Sequence, residues 1–591
     1  KIMRPSNPAS SLILCLACLL VGTLQISLGY GQEPEASLVV LRGATLIDGL
    51  GNPPLANATV VVEGDRIQSI FSGQDRDTPA GATLIDVTGK FVIPGLVDTH
   101  VHWDVWMGEV YINHGVTSIL AMADVSKEER THSLTSLSTP RVFHAGGRPR
   151  LSLSMTREEV HQAIREHLEK EPDIAWFVQF RESNRQMYGW AAEEAHAVGL
   201  AVFSHAQDAG QAIDQGMDVA EHVWAFALPL MSAQELEDFE TGRFVHWAAY
   251  LEEGDRLDQL IEKAVRRGVF LNPTLAYEWG SLSPKRNQLE KEIYTLLSNP
   301  DLSYYPRNRA EQLLLRLRQI KTYSARYEHM PLIAKLSPED LQVVQDGRRR
   351  VQRFVKQYVQ AGGKILSGTD APGVAAPGLG LHHEMELLVE AGLTPMEALK
   401  SSTSWAAELL SGFQGARGNP RVGSIQEGNF ADLLILEADP LEDIANTKKI
   451  DQVMKGGKFI QFGYHPEFFT GPPGPSPREP KISAISPHRV IEGEAELEIV
   501  IDGTGFVTHS VVRVDGVSLA TRFENPSRLR ATIPASLIET ALPDPYRQAG
   551  PDQKVGVHGD RSLPVAVFNP PPSGGVSNTI WLQVGAQWKG R

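Results

Sequence analysis

The chain has 591 residues, of which 42% are hydrophobic and 21% charged. This is the composition of an ordinary globular protein, and it excludes a wholly disordered chain. At roughly 150 residues per domain, the length predicts several domains. Asp and Glu outnumber Lys and Arg by 71 to 56, and no long basic run is present. We therefore expect no nucleic-acid partner.

The first segment, residues 1–31, has the plan of a secretory signal peptide. Two basic residues precede the apolar stretch Leu12–Leu24, and small residues follow it. That stretch is shorter than the roughly 20 residues needed to cross a bilayer, so we expect cleavage, export to the periplasm or the exterior, and no stable membrane insertion. A membrane anchor and a lipoprotein at Cys18 are the alternatives. Because Cys15 and Cys18 are the only cysteines, the mature chain would have no disulfide or thiolate metal site.

Short β segments occur on both flanks of a central body. Residues 37–95 contain three such segments, separated by Gly and Asn-Pro turns. Residues 413–465 contain segments with a similar β pattern. Alternating apolar residues between turn residues are typical of strands. We therefore predict one composite β-sandwich domain built from both flanks.

The central body, residues 96–412, alternates apolar β runs with amphipathic helical runs. Eight β runs can be counted: LVDTHVHW, GVTSILAM, TPRVFHAG, DIAWFVQF, GLAVFSHA, GMDVAEHV, GVFLNPTL and GGKILSGTD. This α/β pattern predicts a (β/α)₈ TIM barrel, whose catalytic groups lie at the C-terminal ends of its strands. Residues 281–358 interrupt this alternation of strands and helices with a long, charged sequence that is typical of helices. They are either a lid over the barrel mouth or a solvated hairpin.

A Pro/Gly-rich linker, residues 466–480, precedes a separate all-β segment at 481–591. The segments GTGF, ATIPASL and NPPPSGGVSN resemble the IPT/TIG group of immunoglobulin-like domains. That resemblance implies a sandwich that packs against the rest of the chain or binds a protein or surface.

The strongest chemical signal is His100 and His102 at the end of the first barrel strand. Residues two apart project from the same face of a strand, so both imidazoles can reach one ion. The ends of later strands carry His205, His222 and Asp370. Imidazole and carboxylate are ligands of Zn²⁺, and a barrel brings such strand ends together. We predict a divalent metal site.

Here the chain resembles the amidohydrolase superfamily, nearest its imidazolonepropionase-like and Xaa-Pro-dipeptidase-like branch, over about residues 37–462. The matching text is PGLVDTHVHW, LSGTDAP, LHHEMELLVEAGLTPMEAL and EGNFADLLILEADPLEDI. The resemblance implies a metal-dependent hydrolase. It also implies that His100, His102, His205 and Asp370 are metal ligands, and that His222 is the sixth-strand histidine.

The chain departs from this pattern at one position. Binuclear members carry a carboxylated lysine on the fourth strand, where this chain has Gln179, and no lysine occurs between Lys170 and Lys263. An amide cannot form a carbamate, although Glu182 could approach the site instead. We therefore predict one ion, Zn²⁺ by preference, with a second ion disfavoured. His222 would then be either a further ligand or a group acting on the substrate.

A chemistry follows from these groups. A bound Zn²⁺ lowers the pKa of its water to about 7 and polarises a carbonyl. Asp370 would transfer the proton and His222 would donate to the oxyanion. Weaker candidates for substrate contact are Tyr277, Thr274, Arg148, Arg150, His382 and His383, the last two with a solvated turn as the alternative. His196, on a helix, is expected to be structural.

The leading hypothesis is an exported hydrolase of a C–N bond in a small substrate such as a dipeptide or an N-acyl amino acid. A cyclic amidase or deaminase with one metal ion is the second hypothesis. A catalytically inactive binding protein is the third, which the retained histidines and carboxylate disfavour. The sequence does not fix the substrate, the native metal, the oligomeric state or the role of the C-terminal segment.

Overall fold

The structure is a computed structural model, and it describes residues 38–585 with internal gaps. The gaps of more than one residue are 74–80, 123–124, 146–150, 171–175, 179–184, 241–246, 320–336, 466–479, 492–495, 540–560 and 570–574, and single positions are also left out. The predicted signal peptide, with Cys15 and Cys18, lies outside the described residues, as does nearly all of the predicted linker.

Strands from both flanks form one eight-stranded mixed sheet. Its strands are β1 (Leu38–Leu46), β2 (Leu55–Glu63), β3 (Arg66–Ser72), β4 (Thr83–Asp86), β5 (Phe91–Pro94), β14 (Leu433–Leu436), β15 (Ile450–Lys455) and β16 (Lys458–Phe459). The order is β16-β15-β14-β5-β1-β2-β3, with β4 also paired to β1. Strand β14 follows the central body in sequence but pairs antiparallel with β5, which precedes it.

The sheet branches at β1, and the composite β-sandwich domain expected from the sequence stays a prediction. The first half of β1 pairs with β4 and its last two residues pair with β5. Gly43 lies between the two pairings with φ 97°, a conformation that favours glycine. A Cβ there would meet the Thr88 hydroxyl at 2.3 Å. This position therefore requires glycine, and it is where β1 changes partner.

The central body contains a parallel strand at each of the eight predicted positions. They are β6 (Leu96–Val101), β7 (Val116–Ala121), β8 (Arg141–His144), β9 (Trp176–Val178), β10 (Ala201–Ser204), β11 (Val219–Glu221), β12 (Phe270–Asn272) and β13 (Lys364–Ile365). They form one sheet of order β6-β7-β8 and another of order β13-β12-β11-β10-β9. Strands β6, β7, β10 and β11 are buried along their whole length, as in a parallel sheet covered on both faces.

Backbone hydrogen bonds join the two sheets at one edge. The Thr99 N–H donates to the Ser367 carbonyl at 3.1 Å, and the Asp370 N–H donates to the His100 carbonyl at 2.9 Å. Val101 and Ala371 form a parallel bridge. The first strand and the segment after the eighth strand are thus adjacent. Within the described residues, β8 and β9 show no pairing at the other edge.

Helices follow the strands, and most of them bury apolar residues in one common core. They are α1 (Gly108–Ile112), α2 (Lys127–Thr135), α3 (Arg157–Lys170), α4 (Arg185–Ala197), α5 (Ala209–Asp214), α6 (Trp224–Ala227), α7 (Ala233–Glu240), α8 (Asp255–Arg266), α9 (Leu275–Glu278), α10 (Arg286–Leu297), α11 (Arg307–Arg316), α12 (Pro338–Gln360), α13 (Leu379–Glu390), α14 (Pro395–Ser401) and α15 (Ser404–Leu410). Capping boxes begin α2 and α14, which satisfies N–H groups that a helix leaves unpaired. Among the described residues, no helix is both long and apolar enough to span a bilayer.

The described part of the predicted insertion, 281–358, packs into the main core. Ile293 of α10 and Val351, Phe354 and Tyr358 of α12 are buried in the cluster that also contains the central strands. The predicted alternative of a solvated hairpin is therefore not what these residues form, because each helix presents an apolar face to the central body. Their action as a lid stays a prediction.

A buried ion pair joins the flanking sheet to the central strands. The Arg141 guanidinium donates to both carboxylate oxygens of Asp432 at 2.8 and 3.2 Å, and the Gly456 N–H donates to the same carboxylate. The guanidiniums of Arg66 and Arg141 lie 3.6 and 3.7 Å from the ring centre of Phe430. Cation–π contacts thus accompany the ion pair at this junction.

The C-terminal region is all-β apart from the helix α16 (Ala535–Glu539). Its strands are β17 (Lys481–Ser486), β18 (Arg489–Ile491), β19 (Leu497–Thr504), β20 (Val511–Val514), β21 (Val517–Ser518), β22 (Thr521–Asn525), β23 (Arg528–Ile533), β24 (Arg561–Asn569), β25 (Gly575–Val576) and β26 (Ile580–Gly585). They form sheets of order β17-β19-β23-β22 and β18-β26-β24-β20-β21. Apolar residues of both sheets form a separate core. Trp581 of β26 makes an edge contact with Tyr294 of α10 at 5.7 Å.

We predict that Asp432→Ala destabilises the protein by about 3–5 kcal/mol, because it leaves the buried Arg141 guanidinium without its anion. Asp451→Ala is the control, since Asp451 pairs with Lys90 in a partly exposed bridge and should cost at most about 1 kcal/mol. Thermal and urea unfolding of both variants measure the difference. Equal losses would contradict the importance of the buried pair.

Candidate metal centre

The first barrel strand ends at the histidine pair. His100 lies within β6 and is buried, whereas His102 follows the strand and its side chain is 53% exposed. Asp370 comes after β13, and the Asp370 N–H bond to the His100 carbonyl fixes the two segments together. The sequence therefore brings together two residues from the first strand and one from the eighth-strand loop.

These three side chains converge on one point. The Nε2 atoms of His100 and His102 lie 3.6 and 2.9 Å from Oδ1 of Asp370. One ligand atom from each residue lies within 4.8 Å of the other two, and the three form a group that could hold a metal ion. Two imidazole nitrogens and a carboxylate oxygen are a donor set that suits Zn²⁺.

Glu221 fixes the orientation of the His100 ring. Its Oε2 lies 2.6 Å from Nδ1 of His100, and both side chains are buried. The Glu221 oxygen accepts the hydrogen bond, so Nδ1 carries a proton and Nε2 is the ring nitrogen that faces Asp370. A carboxylate behind a histidine in this way is common at metal sites.

The charges at this point attract a cation. Burial lowers the pKa of His100, but the negative charges of Glu221 and Asp370 outweigh it and raise the pKa to about 9. Burial raises the pKa of Asp370, but the positive charges of His100 and His102 and the His102 hydrogen bond outweigh it, so that this pKa falls well below its usual range. With no ion present, His100 would thus carry a proton on each ring nitrogen at neutral pH, and a bound cation would take the place of the Nε2 proton that faces Asp370. The residues therefore fit a divalent ion.

His205 and His222 lie beside the three-residue group. Their ring centroids are 5.9 and 5.7 Å from that of His100, and 5.2 Å from each other. Two imidazoles on one tetrahedral Zn²⁺, at Zn–N distances of about 2.0–2.1 Å, have centroids about 5 Å apart. The structure thus places all five predicted side chains together, and the roles of His205 and His222 as ligands stay predictions.

The loop after β12 orients His222. Oγ1 of Thr274 lies 2.6 Å from Nδ1 of His222, and Oε1 of Glu278 lies 3.7 Å from the same nitrogen. The Tyr277 ring is nearly parallel to the His222 ring, with centroids 6.0 Å apart. The sequence suggested Thr274 and Tyr277 as substrate contacts. In the structure both face His222.

A residue with left-handed backbone conformation follows each of three successive strands, β11, β12 and β13. His222, Thr274 and Asp370 have φ of 65°, 48° and 54°. Side chains other than glycine, and β-branched ones above all, rarely adopt such angles. Residues held this way cost of order 1–3 kcal/mol each and cluster at functional sites. Each of these three residues lies in the histidine cluster or contacts it: Thr274 bonds to His222, and Asp370 bonds to His102.

Asp98 of β6 holds the segment after β13 through two hydrogen bonds to Thr369. Its Oδ1 accepts from the N–H of Thr369 at 3.1 Å, and its Oδ2 accepts from the Thr369 hydroxyl at 2.6 Å. Tyr111 also donates to this carboxylate. Burial raises the pKa of Asp98 to about 6, although these hydrogen bonds lower it. Neither Asp98 nor Glu221 was predicted from the sequence. Their only signal is position, since Asp98 lies two residues before His100 and Glu221 one residue before His222.

The remaining predicted positions are less connected with the site. His196 bonds to Asp218 at 2.7 Å and stacks on Phe413. The prediction of a solvated turn at His382 and His383 is wrong, because both are buried in α13. His382 bonds to Thr447 and His383 to Glu292, and His383 also lines a small cavity with Ala276 and Ala375, so their contact with a substrate stays a prediction. The positions Arg148, Arg150, Gln179 and Glu182 lie outside the described residues.

The fold and the site define a class: an α/β protein with parallel strands and a cluster of metal-binding side chains at the strand ends. The profile of the amidohydrolase family matches residues 91–460, which is more than half of the chain. The chain therefore belongs to the amidohydrolase family, as its motifs predicted, and the family is one of metal-dependent hydrolases acting on carbon–nitrogen bonds.

Two curated relatives match short segments of the chain. Ochratoxinase of Aspergillus niger is 39% identical over 107 residues, which are 17% of this chain and 20% of the relative. D-aminoacylase of Alcaligenes xylosoxydans xylosoxydans is 38% identical over 87 residues, 14% of this chain and 17% of the relative. The matched segments span about a fifth of these curated relatives. A solved bottromycin amidohydrolase, 19% identical, covers 71% of this chain and 86% of its own with a TM-score of 0.50, a likeness of fold alone.

We predict about one divalent ion per chain in the purified protein, because four predicted ligands meet and Gln179 cannot supply a bridging carbamate. His100→Ala should lose most of that ion, since it removes a buried ligand. His196→Ala is the control, because His196 contacts Asp218 and Phe413. Elemental analysis after dialysis measures the content. Two ions per chain would contradict the single-ion prediction, and equal content in both variants would contradict the site.

Proposed function

We propose that this chain hydrolyses a carbon–nitrogen bond in a small amide, such as a dipeptide or an N-acyl amino acid. One divalent ion, Zn²⁺ by preference, would be held by His100, His102, His205 and Asp370. The observation that carries the proposal is the meeting of His100, His102 and Asp370 within 4.8 Å. The retained donor set argues against an inactive binding protein, because unused ligands would have no physical reason to converge.

The architecture we propose is a closed (β/α)₈ barrel. The eight parallel strands support it, as do the hydrogen bonds that join β6 to the segment after β13. Closure would make the site the C-terminal mouth of the barrel, where the loops of separate strands meet. For the C-terminal region we propose an immunoglobulin-like sandwich of the IPT/TIG type, supported by two sheets around one core.

The cation would supply two things when bound: a lowered pKa for a water molecule and polarisation of the substrate carbonyl. The protein groups supply the proton transfers. The Asp370 carboxylate, kept ionised by its histidine neighbours, can accept a proton from the attacking water and deliver it to the leaving nitrogen. Such general acid–base catalysis is worth roughly 10²- to 10⁴-fold.

His222 can donate a hydrogen bond to the oxygen that becomes negative during attack. To donate from Nε2, the neutral imidazole must accept at Nδ1, and the Thr274 hydroxyl at 2.6 Å can donate there. If His222 instead binds the ion through Nε2, the Nδ1 proton goes to the same hydroxyl. In both roles Thr274 holds the ring in place.

Substrate recognition is proposed at two positions. Tyr277 lies on the site side of its loop, next to His222, where it can contact the group attached to the amide. Arg148 would pair with a substrate carboxylate, since a guanidinium binds carboxylates through two parallel hydrogen bonds. The names of the relatives D-aminoacylase and ochratoxinase are compatible with a small amide as substrate.

Export is part of the proposal. It is supported by the basic start, the apolar stretch Leu12–Leu24 and the small residues that follow. Fractionation of expressing cells, followed by N-terminal sequencing of the protein outside the cytoplasm, tests it. A protein that stays in the cytoplasm with residues 1–31 attached would overturn it.

We predict that Asp370→Asn lowers kcat by at least 10²-fold with little change in unfolding temperature, because the amide can neither hold nor transfer the proton. The assay is hydrolysis of dipeptides, acylated amino acids and cyclic amides by the metal-loaded protein, read by amine release. His196→Ala serves as the matched control. Full activity of the Asp370 variant would refute this assignment, and turnover of cyclic amides alone would favour the cyclic amidase instead.

A further inference from the structure

Glu384 is a buried carboxylate that the proposed chemistry does not use. It lies in α13, on the far side of the loop that follows β12, and is fully buried. Its two oxygens accept hydrogen bonds from the N–H groups of Leu275 and Ala276 at 2.9 and 2.6 Å. These are the first two residues of α9, so Glu384 caps the start of this short helix.

The cap is unusual because a suitable capping residue already precedes the helix. Thr274 stands at the N-cap position, where a hydroxyl normally accepts from the first N–H groups. Its side chain makes no cap hydrogen bond and lies instead against Nδ1 of His222. The Thr274 hydroxyl is diverted to the site, and Glu384 takes over its capping role from another helix.

Helix α9 depends on such support. It has only four residues, and one helical turn is unstable by itself because nucleation fixes several residues for one hydrogen bond. The preceding Thr274 has a strained φ of 48°. Ala276 and Gly280, one turn apart, border a small cavity lined also by Leu289 and Ile293 of α10. On the other side Leu275 is buried in the main core, so apolar packing on one side and the Glu384 hydrogen bonds at its start together hold the turn.

We propose that Glu384 is a positioning residue for His222. By fixing the first two N–H groups of α9, it sets the positions of Thr274 and Tyr277, which in turn set the orientation of the His222 ring. The chain of contacts runs from α13 through α9 to the histidine cluster. This inference rests on the proposed function for its kinetic consequence, although its structural consequence can be measured without activity.

Hydrogen exchange provides the measurement that needs no substrate. In Glu384→Gln the amide oxygen can accept only one of the two N–H groups at full strength, so exchange at Leu275 and Ala276 should speed up, by about one to two deuterons in a peptide covering 273–282. Glu386→Gln is the matched control. Glu386 is also buried in α13, two residues further on, but it pairs with Lys448 and Lys285. Its peptide 273–282 should exchange as in the wild type.

The kinetic test uses a double-mutant cycle with Thr274→Val, which removes the hydroxyl but keeps the β-branched shape. Each single variant should lower kcat about 10- to 100-fold, as supporting residues of metal sites do, with the change in KM smaller than that in kcat. The double variant should be no slower than the slower single variant, because both act through His222. Glu386→Gln should retain wild-type kcat even if its unfolding temperature falls.

The outcomes separate the two claims. Unchanged exchange at 273–282 in Glu384→Gln, or losses in kcat that multiply in the double variant, would overturn the positioning role. Increased exchange together with a wild-type protein that hydrolyses no amide would retain the contact between Glu384 and α9 and reject the proposed function. If Glu386→Gln increased exchange equally, Glu384 would contribute only to the overall stability of the protein, and the proposal would be overturned.

Discussion

The site is organised by two potential ligand atoms that face each other across a short gap. Glu221 fixes a proton on Nδ1 of His100, so Nε2 is the ring nitrogen that faces the Asp370 carboxylate, 3.6 Å away. The pair is stable only with positive charge between the two groups, which either a proton on Nε2 or a bound cation supplies. The hydrogen bonds between β6 and the segment after β13 hold these atoms at that separation. The pairing of the first central strand with the segment after the eighth strand therefore creates a site that attracts positive charge.

The surrounding structure stabilises conformations that the isolated segments would avoid. Three left-handed residues, His222, Thr274 and Asp370, follow three successive strands. Their strain is offset by hydrogen bonds from distant segments: Asp98 holds the loop of Asp370, and Glu384 holds the helix after Thr274. Buried carboxylates from the first central strand and from α13 thus fix the loops, and the loops fix the metal-binding side chains. This is how a site on loops acquires the rigidity that catalysis requires.

Sequence reasoning found the residues whose signal is local. The sequence pattern of a β-strand is enough to identify the i, i+2 spacing of His100 and His102 and the strand-end position of Asp370. The eight strands also lie where that pattern predicted them. Glu221 and Glu384 were missed because their partners are distant: His100 is 121 positions from Glu221, and Leu275 is 109 positions from Glu384. Periodicity reports which face of an element is apolar, and it does not report which carboxylate meets which amide. The solvated turn predicted as the alternative for His382 and His383 was wrong because both residues lie in α13, which begins at Leu379 and is buried along most of its length.

The pairing of β5 with β14 sets the order in which the molecule can assemble. A ribosome releases β1 to β5 first, while the strand that covers the open side of β5 is made only after the whole central body. Until then the nascent chain carries an unpaired strand edge, which is a template for association with other chains. Non-local pairing of this kind also slows folding. Assistance by chaperones during synthesis would thus protect one identifiable edge, formed by Phe91–Pro94.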